Sequence, residues 1–439
     1  ADGAMANTLQ VKVTDANGNT LAGQTVSVLG GNGATVSPTV ITGPDGTVEI
    51  SVTSQTAGAS TVTASINSSS LSRNVTFVAD VRTAQIAVLE VTQDYAVADG
   101  STANTLRARV TDAFGNALAG QTVSVLADNS ATTAPTVITE PDGTVEISVT
   151  SQTAGTSTVT ATINSSSQSQ NVTFIADVST AKIADLVVIK DGSEADGSTA
   201  NTLRARVTDA FGNALAGQTV SVLADNGVTT APTVITEPDG TVEISVTSQT
   251  AGVSAVTASI NSSSLSRNVT FVADVRTAQI AVLEVTQDYA VADGSTANTL
   301  RARVTDAFGN ALAGQTVSVL GGNGATVSPT VITGPDGTVE ISVTSQTAGV
   351  SAVTATINSS SQSQNVTFIA DVSTAKIADL VVIKDGSEAD GSTANTLRVR
   401  VTDAFGNTLA GQTVSVLADN GATTAPTVIT EPDGTVEIS

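Results

Sequence analysis

Pro238-Asp239-Gly240-Thr241-Val242-Glu243-Ile244-Ser245-Val246-Thr247 is the stretch on which the fold turns. Val242, Ile244 and Val246 alternate with Thr241, Glu243, Ser245 and Thr247, which gives an extended segment one aliphatic and one polar face. The Pro-Asp-Gly ahead of it is tight-turn chemistry: proline presets φ and glycine accepts positive φ. The same two-residue period recurs on both sides. It covers Leu203-Ala205-Val207, Val220-Val222, Val256-Ala258-Ile260 and Val269-Phe271. Asp209-Ala210-Phe211-Gly212-Asn213, Ala251-Gly252 and Asn261-Ser262-Ser263-Ser264 punctuate these runs. Thr233-Val234-Ile235-Thr236 lies between Pro232 and Pro238 and reads as a short edge strand, because proline lacks a ladder donor. With Ile183–Ile189 ahead of them, the runs make about seven short antiparallel strands, the number of a two-sheet sandwich. No helical stripe of useful length interrupts them.

The pattern repeats along the chain. Ala-Asp-Gly, with Ala-Asn-Thr-Leu close behind, begins at Ala1, Ala98, Ala195, Ala292 and Ala389, a spacing of 97 residues. That is too long for a solenoid turn and is the size of one immunoglobulin-like sandwich. A superperiod of two is superimposed. Arg82-Thr83-Ala84-Gln85 recurs from Arg276, and Ser179-Thr180-Ala181-Lys182 from Ser373. Asn-Val-Thr-Phe ends a strand just before Asp80, Asp177, Asp274 and Asp371, so the domain boundaries belong there rather than at Ala-Asp-Gly. The expected domains are 1–80 (lacking its first strand), 81–177, 178–274, 275–371 and 372–439 (lacking its last strands). Both chain ends then read as cuts. Linkers of a few residues without a glycine run hold neighbours in a fixed relation. The expected fold class is therefore all-β: tandem immunoglobulin-like β-sandwich domains arranged as an elongated rod.

Composition removes many functions. The 439 residues contain no Cys, His or Trp, so thiol, disulfide, Cys/His zinc and His-based triad chemistry are out. Lys and Arg total 17 against 40 Asp and Glu, a net charge of −23 that argues against nucleic acid and anionic membranes. Apolar residues make up 40% and aromatics 2%, so the cores are aliphatic, with one Phe per domain at Phe77, Phe174, Phe271 and Phe368. No apolar run approaches a membrane helix, and direct membrane insertion is not expected.

The order Ala98-Asp99-Gly100, then Val110 to Val123, Pro141 to Val145, Thr153-Ala154-Gly155 and Val172 to Asp177 resembles the bacterial Ig-like group 1 (Big-1) repeat. The resemblance covers the whole chain. Such repeats build the passengers of intimin- and invasin-like inverse autotransporter adhesins. The resemblance implies an extracellular place on the bacterial surface, with an outer-membrane barrel outside this sequence and a role in cell adhesion and virulence. It also implies that a host or cell-surface receptor is met by a distal tip carrying Cys and Trp, which nothing here matches. The chain then reads as a stalk: a monomer whose partners are its own adjacent repeats, each adding roughly 35–40 Å for a total of about 160–180 Å. The rival reading is a subunit of a self-assembling extracellular fibre or a phage-associated Ig-like decoration protein. No enzyme is expected.

Few residues offer chemistry. The paired carboxylates Glu140 and Asp142 (Glu237 and Asp239, Glu431 and Asp433 elsewhere) flank a turn proline, and Gly43 and Gly334 replace the Glu in two copies, so they read as solvated turns. No catalytic or cofactor-binding residue is expected. Calcium is the alternative worth naming, because acidic turns supply oxygen ligands: the candidates are Asp99, Asp112, Asn116 and the linker Asp177. A calcium-stiffened stalk would melt at a different temperature with EDTA. Asn-Val-Thr and Asn-Ser-Ser match the glycosylation pattern but are common by chance in a Ser/Thr-rich chain. Phe114, Phe211, Phe308 and Phe405 stand in the Asp-Ala-Phe-Gly-Asn turn, which an Ig-like strand order puts at the pole facing the preceding domain. They are the expected interdomain packing residues.

Overall fold

The computed structural model describes all residues, Ala1–Ser439, as β-strands joined by turns, with no α-helix. The second unit shows the architecture. A four-stranded sheet runs in the order Thr132–Thr133, Thr144–Thr150, Asn104–Thr111, Gln85–Gln93. A five-stranded sheet runs Thr136–Ile138, Thr122–Ala127, Gly155–Ile163, Ser166–Ile175, Ala96–Val97. The chain changes sheet between Gln93 and Ala96, so Ala96–Val97 pairs parallel to Phe174–Ile175 while the other pairings are antiparallel. Asn104, fully buried, fastens the crossing: its Oδ1 accepts from Ala96 N at 2.9 Å and its Nδ2 donates to Thr173 O at 3.0 Å.

The aliphatic alternation buries one face of each sheet against the other. In Asn104–Thr111 the side chains of Leu106, Ala108 and Val110 are buried and Arg107 and Arg109 exposed. The core of this unit holds 19 buried apolar residues, the third and fourth units 18 each, and no core spans two units. The first unit has no counterpart of Gln85–Gln93, and the fifth has none of Gly155–Ile163 or Ser166–Ile175. Their cores shrink to 7 and 5 residues. The fifth unit's opening strand Lys376–Lys384 is exposed throughout.

Two readings change. The closing strand is longer than the Asn-Val-Thr-Phe run: it is Ser263–Val272 in the third unit, and Ile260 pairs with Ser263 across a turn of only Asn261 and Ser262. The serines cannot be told from loop by hydropathy, yet their outward hydroxyls cross-pair, as Thr257 Oγ1 with Ser266 Oγ at 3.0 Å. Each full unit also has nine strands rather than about seven, because the two-residue pairings lie below what a period can show.

The long opening strand is a sheet edge, and side chains seal it. Gln168 Nε2 and Gln170 Nε2 donate to the carbonyls of Ile86 and Leu89, both at 3.0 Å, and Ile86 N donates to Ser166 Oγ at 3.0 Å. Backbone groups occupied in this way are closed to a foreign strand. In the third unit Leu265 stands at the first glutamine position and packs on the core instead.

Glycine is required at Gly143 of the Pro-Asp-Gly turn: φ is +79°, and a Cβ would lie 2.7 Å from Val110 O. The loop at Asn129-Ser130 breaks the rule. Both residues have positive φ, +50° and +63°, where other units place Asn-Gly, as at Gly227 with φ +74°. A serine held there is strained by its Cβ. Ser130→Gly is therefore expected to stabilise the second unit by about 1 kcal/mol, seen as a higher urea midpoint for that unit's transition.

Candidate functional site: the junction between units

The chain leaves each closing strand through a short 3-10 turn, Val81–Thr83, Val178–Thr180, Val275–Thr277 or Val372–Thr374. The aspartate before it caps the turn; Asp177 accepts from Ser179 N. The linker alanines Ala79, Ala176, Ala273 and Ala370 pack on the core of the following unit. The linker is thus part of the next sandwich.

The Asp-Ala-Phe-Gly-Asn turn reaches the other way. Asp209 is fully buried, and its Oδ1 accepts from Phe211 N and Asn213 N, both at 2.9 Å. Its Oδ2 accepts from Asn213 Nδ2 at 2.7 Å and from Asp177 N of the linker at 3.2 Å. With its amide oriented in this way, Asn213 grips the preceding unit. Its Oδ1 accepts from Ala154 N at 2.8 Å, and its Nδ2 donates to Gln152 O at 2.9 Å. The gripped loop is itself fixed. Ser151, only 3% exposed, accepts from Thr153 N and donates to Thr153 O. The clasp recurs as Asn116 on Gln55 and Ala57, Asn310 on Gln249 and Ala251, and Asn407 on Gln346 and Ala348. All these lengths fall between 2.7 and 2.9 Å, normal for N–H···O bonds. In the first unit the Asn19 side chain makes only the inward bond, to Asp15 Oδ2.

The superperiod changes the rim of the junction. Arg82 lies 2.9 Å from Asp80 and 3.5 Å from Asp2 of the preceding unit. Arg276 meets Asp274 at 3.0 Å and pairs with Glu194. Ser179 and Ser373 replace the arginines at the other two junctions and bond only to Asp177 and Asp371. The arginines are 66–70% exposed, so these ion pairs add little to stability.

Each expected site residue has a definite place. Phe114, Phe211, Phe308 and Phe405 lie in the clasp turns and are 45–47% exposed. Asp99 accepts from Ser101 and Thr102, through backbone and hydroxyl alike, and these bonds hold its carboxyl far below the usual range. Asp177 serves its own turn and is held low by the Ser179 hydroxyl and N–H. Asp112 binds Phe114 N, Asn116 N, Asn116 Nδ2 and Asp80 N. Burial would raise its pKa, but bonds from Asn116, Asp80 and Phe114 outweigh that and lower it. No three carboxylates come together in the structure. Asp142 is committed to Thr144 N and Oγ1. A cleft of about 360 Å³ lined by Gly100, Ser130, Thr132, Thr150, Ser151, Gln152 and Thr153 holds no titratable side chain.

Sequence reasoning named Asn116 only as a candidate calcium ligand. The available signal was an aspartate four residues before an asparagine across a Gly turn, an arrangement that bonds internally and leaves one amide edge free.

Sandwiches in series, each clasping the loop of the one before, define the chain as a tandem array of immunoglobulin-like domains. The chain belongs to the bacterial Ig-like domain (group 1) family, whose pattern matches residues 1–78, 86–175, 183–272, 280–369 and 377–439. It is 32% identical over 457 residues to the inverse autotransporter adhesin YeeJ of Escherichia coli (strain K12), covering 98% of this chain and 19% of that protein. The chain thus spans about a fifth of that relative's length. Among solved structures it is similar to invasin, a bacterial integrin-binding protein, with 23% identity, 80% of this chain and 73% of that one covered, and a TM-score of 0.41. It is also similar to the D0-D1 domain of intimin, with 26% identity, coverage of 43% and 98%, and a TM-score of 0.20.

Proposed function

We propose that the chain is the stalk of a bacterial cell-surface adhesin, a spacer that holds a distal receptor-binding tip away from the envelope. The observation that carries this reading is the asparagine clasp repeated at four successive junctions. A covalent linker alone transmits position poorly, whereas a linker built into the next core and a side-chain bridge to the previous loop fix each unit against its neighbour. The relationship to an inverse autotransporter adhesin supports an extracellular, outer-membrane-anchored setting, with anchor and tip in other regions. Net negative charge keeps such a stalk soluble and off an anionic envelope.

The stalk works without catalysis and without metal in this reading. Asp99, Asp112, Asp142 and Asp177 already accept hydrogen bonds from nearby donors. EDTA is accordingly expected to leave the melting temperature unchanged, and a shift on calcium addition would reverse that part. The half-exposed phenylalanines stand in the same turns as the asparagines and would pack on the preceding unit beside them.

Small-angle scattering at low protein concentration tests the stalk. The parent is expected to show a maximum dimension of about 160–180 Å. Asn116→Ala/Asn213→Ala/Asn310→Ala/Asn407→Ala is expected to give a shorter, broader distance distribution with each unit still folded. A compact parent particle would defeat the reading.

A further inference from the structure

Two kinds of junction alternate along the chain. At the first kind a linker arginine reaches back across the joint: Arg82 lies 3.5 Å from Asp2 of the first unit, and Arg276 pairs with Glu194 of the third. Each arginine also pairs with the aspartate of its own linker, Asp80 or Asp274. That linker belongs mechanically to the following unit, because Ala79 and Ala273 sit on its core and Asp80 N and Asp274 N donate to Asp112 and Asp306. The arginine therefore ties the following unit to the preceding one. At the second kind, Ser179 and Ser373 end on Asp177 and Asp371. Val97 and Val291 stand where the third unit has Glu194. The cation is not lost but moved. Lys182 and Lys376 replace Gln85 and Gln279, and their Nζ atoms donate to Ala210 O and Ala404 O of their own units at 3.3 and 3.2 Å. Two carboxylates then face each other across the joint without a bridge. Asp177, held low by Ser179, is pushed the other way by the like charge of Asp99, and Asp371, held low by Ser373, by that of Asp293.

We propose that the stalk is jointed in pairs: ion pairs from Arg82 and Arg276 restrain the first and third joints, while the joints at Asp177 and Asp371 tilt more freely. This rests on the stalk reading and adds where the stalk bends. The asparagine clasp is present at all four joints, so it cannot make them differ. An exposed pair favours its bridged arrangement by a factor of only about 1.4–5. That is too little to matter to folding. A tilt unfolds neither unit, however, so the same factor acts directly on the distribution of tilts. Repulsion between Asp99 and Asp177 works in the opposite sense. Both contributions lie at the exposed rim, where salt screens them.

Because the chain has no cysteine, two introduced cysteines carry spin labels at known places. Ser148→Cys/Ser245→Cys spans the serine joint at Asp177, and Ser245→Cys/Ser342→Cys spans the arginine joint at Asp274. The three serines are equivalent exposed positions in successive units, so the two pairs report on the joints between them. Label-to-label distances, measured by double electron–electron resonance on residues 1–439 at low salt, are expected to spread more widely across the serine joint. Arg276→Ser is expected to widen the spread across the arginine joint to that of the serine joint. Val97→Glu/Ser179→Arg installs at the serine joint the pair that Glu194 and Arg276 make, and is expected to narrow its spread to that of the arginine joint. Added salt is expected to reduce the difference between the two joints. Equal spreads in the parent at low salt, an Arg276→Ser variant that keeps the narrow spread, or a graft that narrows nothing overturns the proposal. The stalk reading survives each of these outcomes, since its own test is the maximum dimension of the particle.

Discussion

Phe271→Ala is expected to destabilise the third unit by about 3–5 kcal/mol. Phe271 is 1% exposed and is the one aromatic in a core otherwise made of Val, Ile, Leu and Ala. The small aliphatics around it are β-branched or short and held on paired strands, so they cannot swing in to fill the space. A domain of this size has only about 5–15 kcal/mol in total. The variant unit is therefore expected to unfold at much lower urea than its neighbours. Stepwise unfolding should show one early transition carrying a single unit's amplitude, because no core is shared between units. A single cooperative transition shifted as a whole would mean that the units are not independent.

The second large effect belongs to the junction. Asp209→Ala removes the acceptor for Phe211 N, Asn213 N, Asn213 Nδ2 and Asp177 N. Leaving buried donors without partners is expected to cost about 2–4 kcal/mol and to free the Asn213 amide from its grip on Gln152 and Ala154. Asp209→Asn is no rescue, since its amide would set a donor against Asp177 N and Asn213 Nδ2. Asn213→Ala is expected to cost only about 1 kcal/mol while loosening the angle as much. Melting and residual dipolar couplings measured on the same samples separate the two effects. Equal couplings in parent and Asn213→Ala would remove the clasp as the source of stiffness.

The junction also has a pH dependence of known sign. Asp112 and Asp403 are held below the ordinary 3.8 in the folded chain. For both, burial alone would raise the value, and the bonds from Asn116 and Asn407, the linker N–H and the turn amides prevail. A carboxyl depressed on folding contributes stability above its unfolded value and loses it as pH falls through the folded one. The junctions at Asp112 and Asp403 are therefore expected to stay firm through neutral pH and to loosen below about pH 4, readable as a falling maximum dimension in scattering. With no histidine in the chain, no such change is expected between pH 5 and 8.

Much of this was open to sequence reasoning. The alternation at Leu203-Ala205-Val207 and Val242-Ile244-Val246 places those side chains inward, and the structure buries all of them. The edge strand between Pro232 and Pro238 is there as Thr233–Ile235. The serine-rich start of the closing strand was not legible, because hydroxyls serve turns and outward strand positions equally well. The Ala96–Val97 crossing was hidden by its length.

Local periodicity and turn chemistry determined the all-β class, the unit length and the aliphatic core, since each depends on neighbours within a few residues along the chain. The grip of Asn213 on Gln152 and Ala154 needed the tertiary structure. It joins groups some sixty residues apart that belong to different units, and a side-chain amide is equally at home in water. Only the stacking of one sandwich on the next brings that amide to those backbone groups.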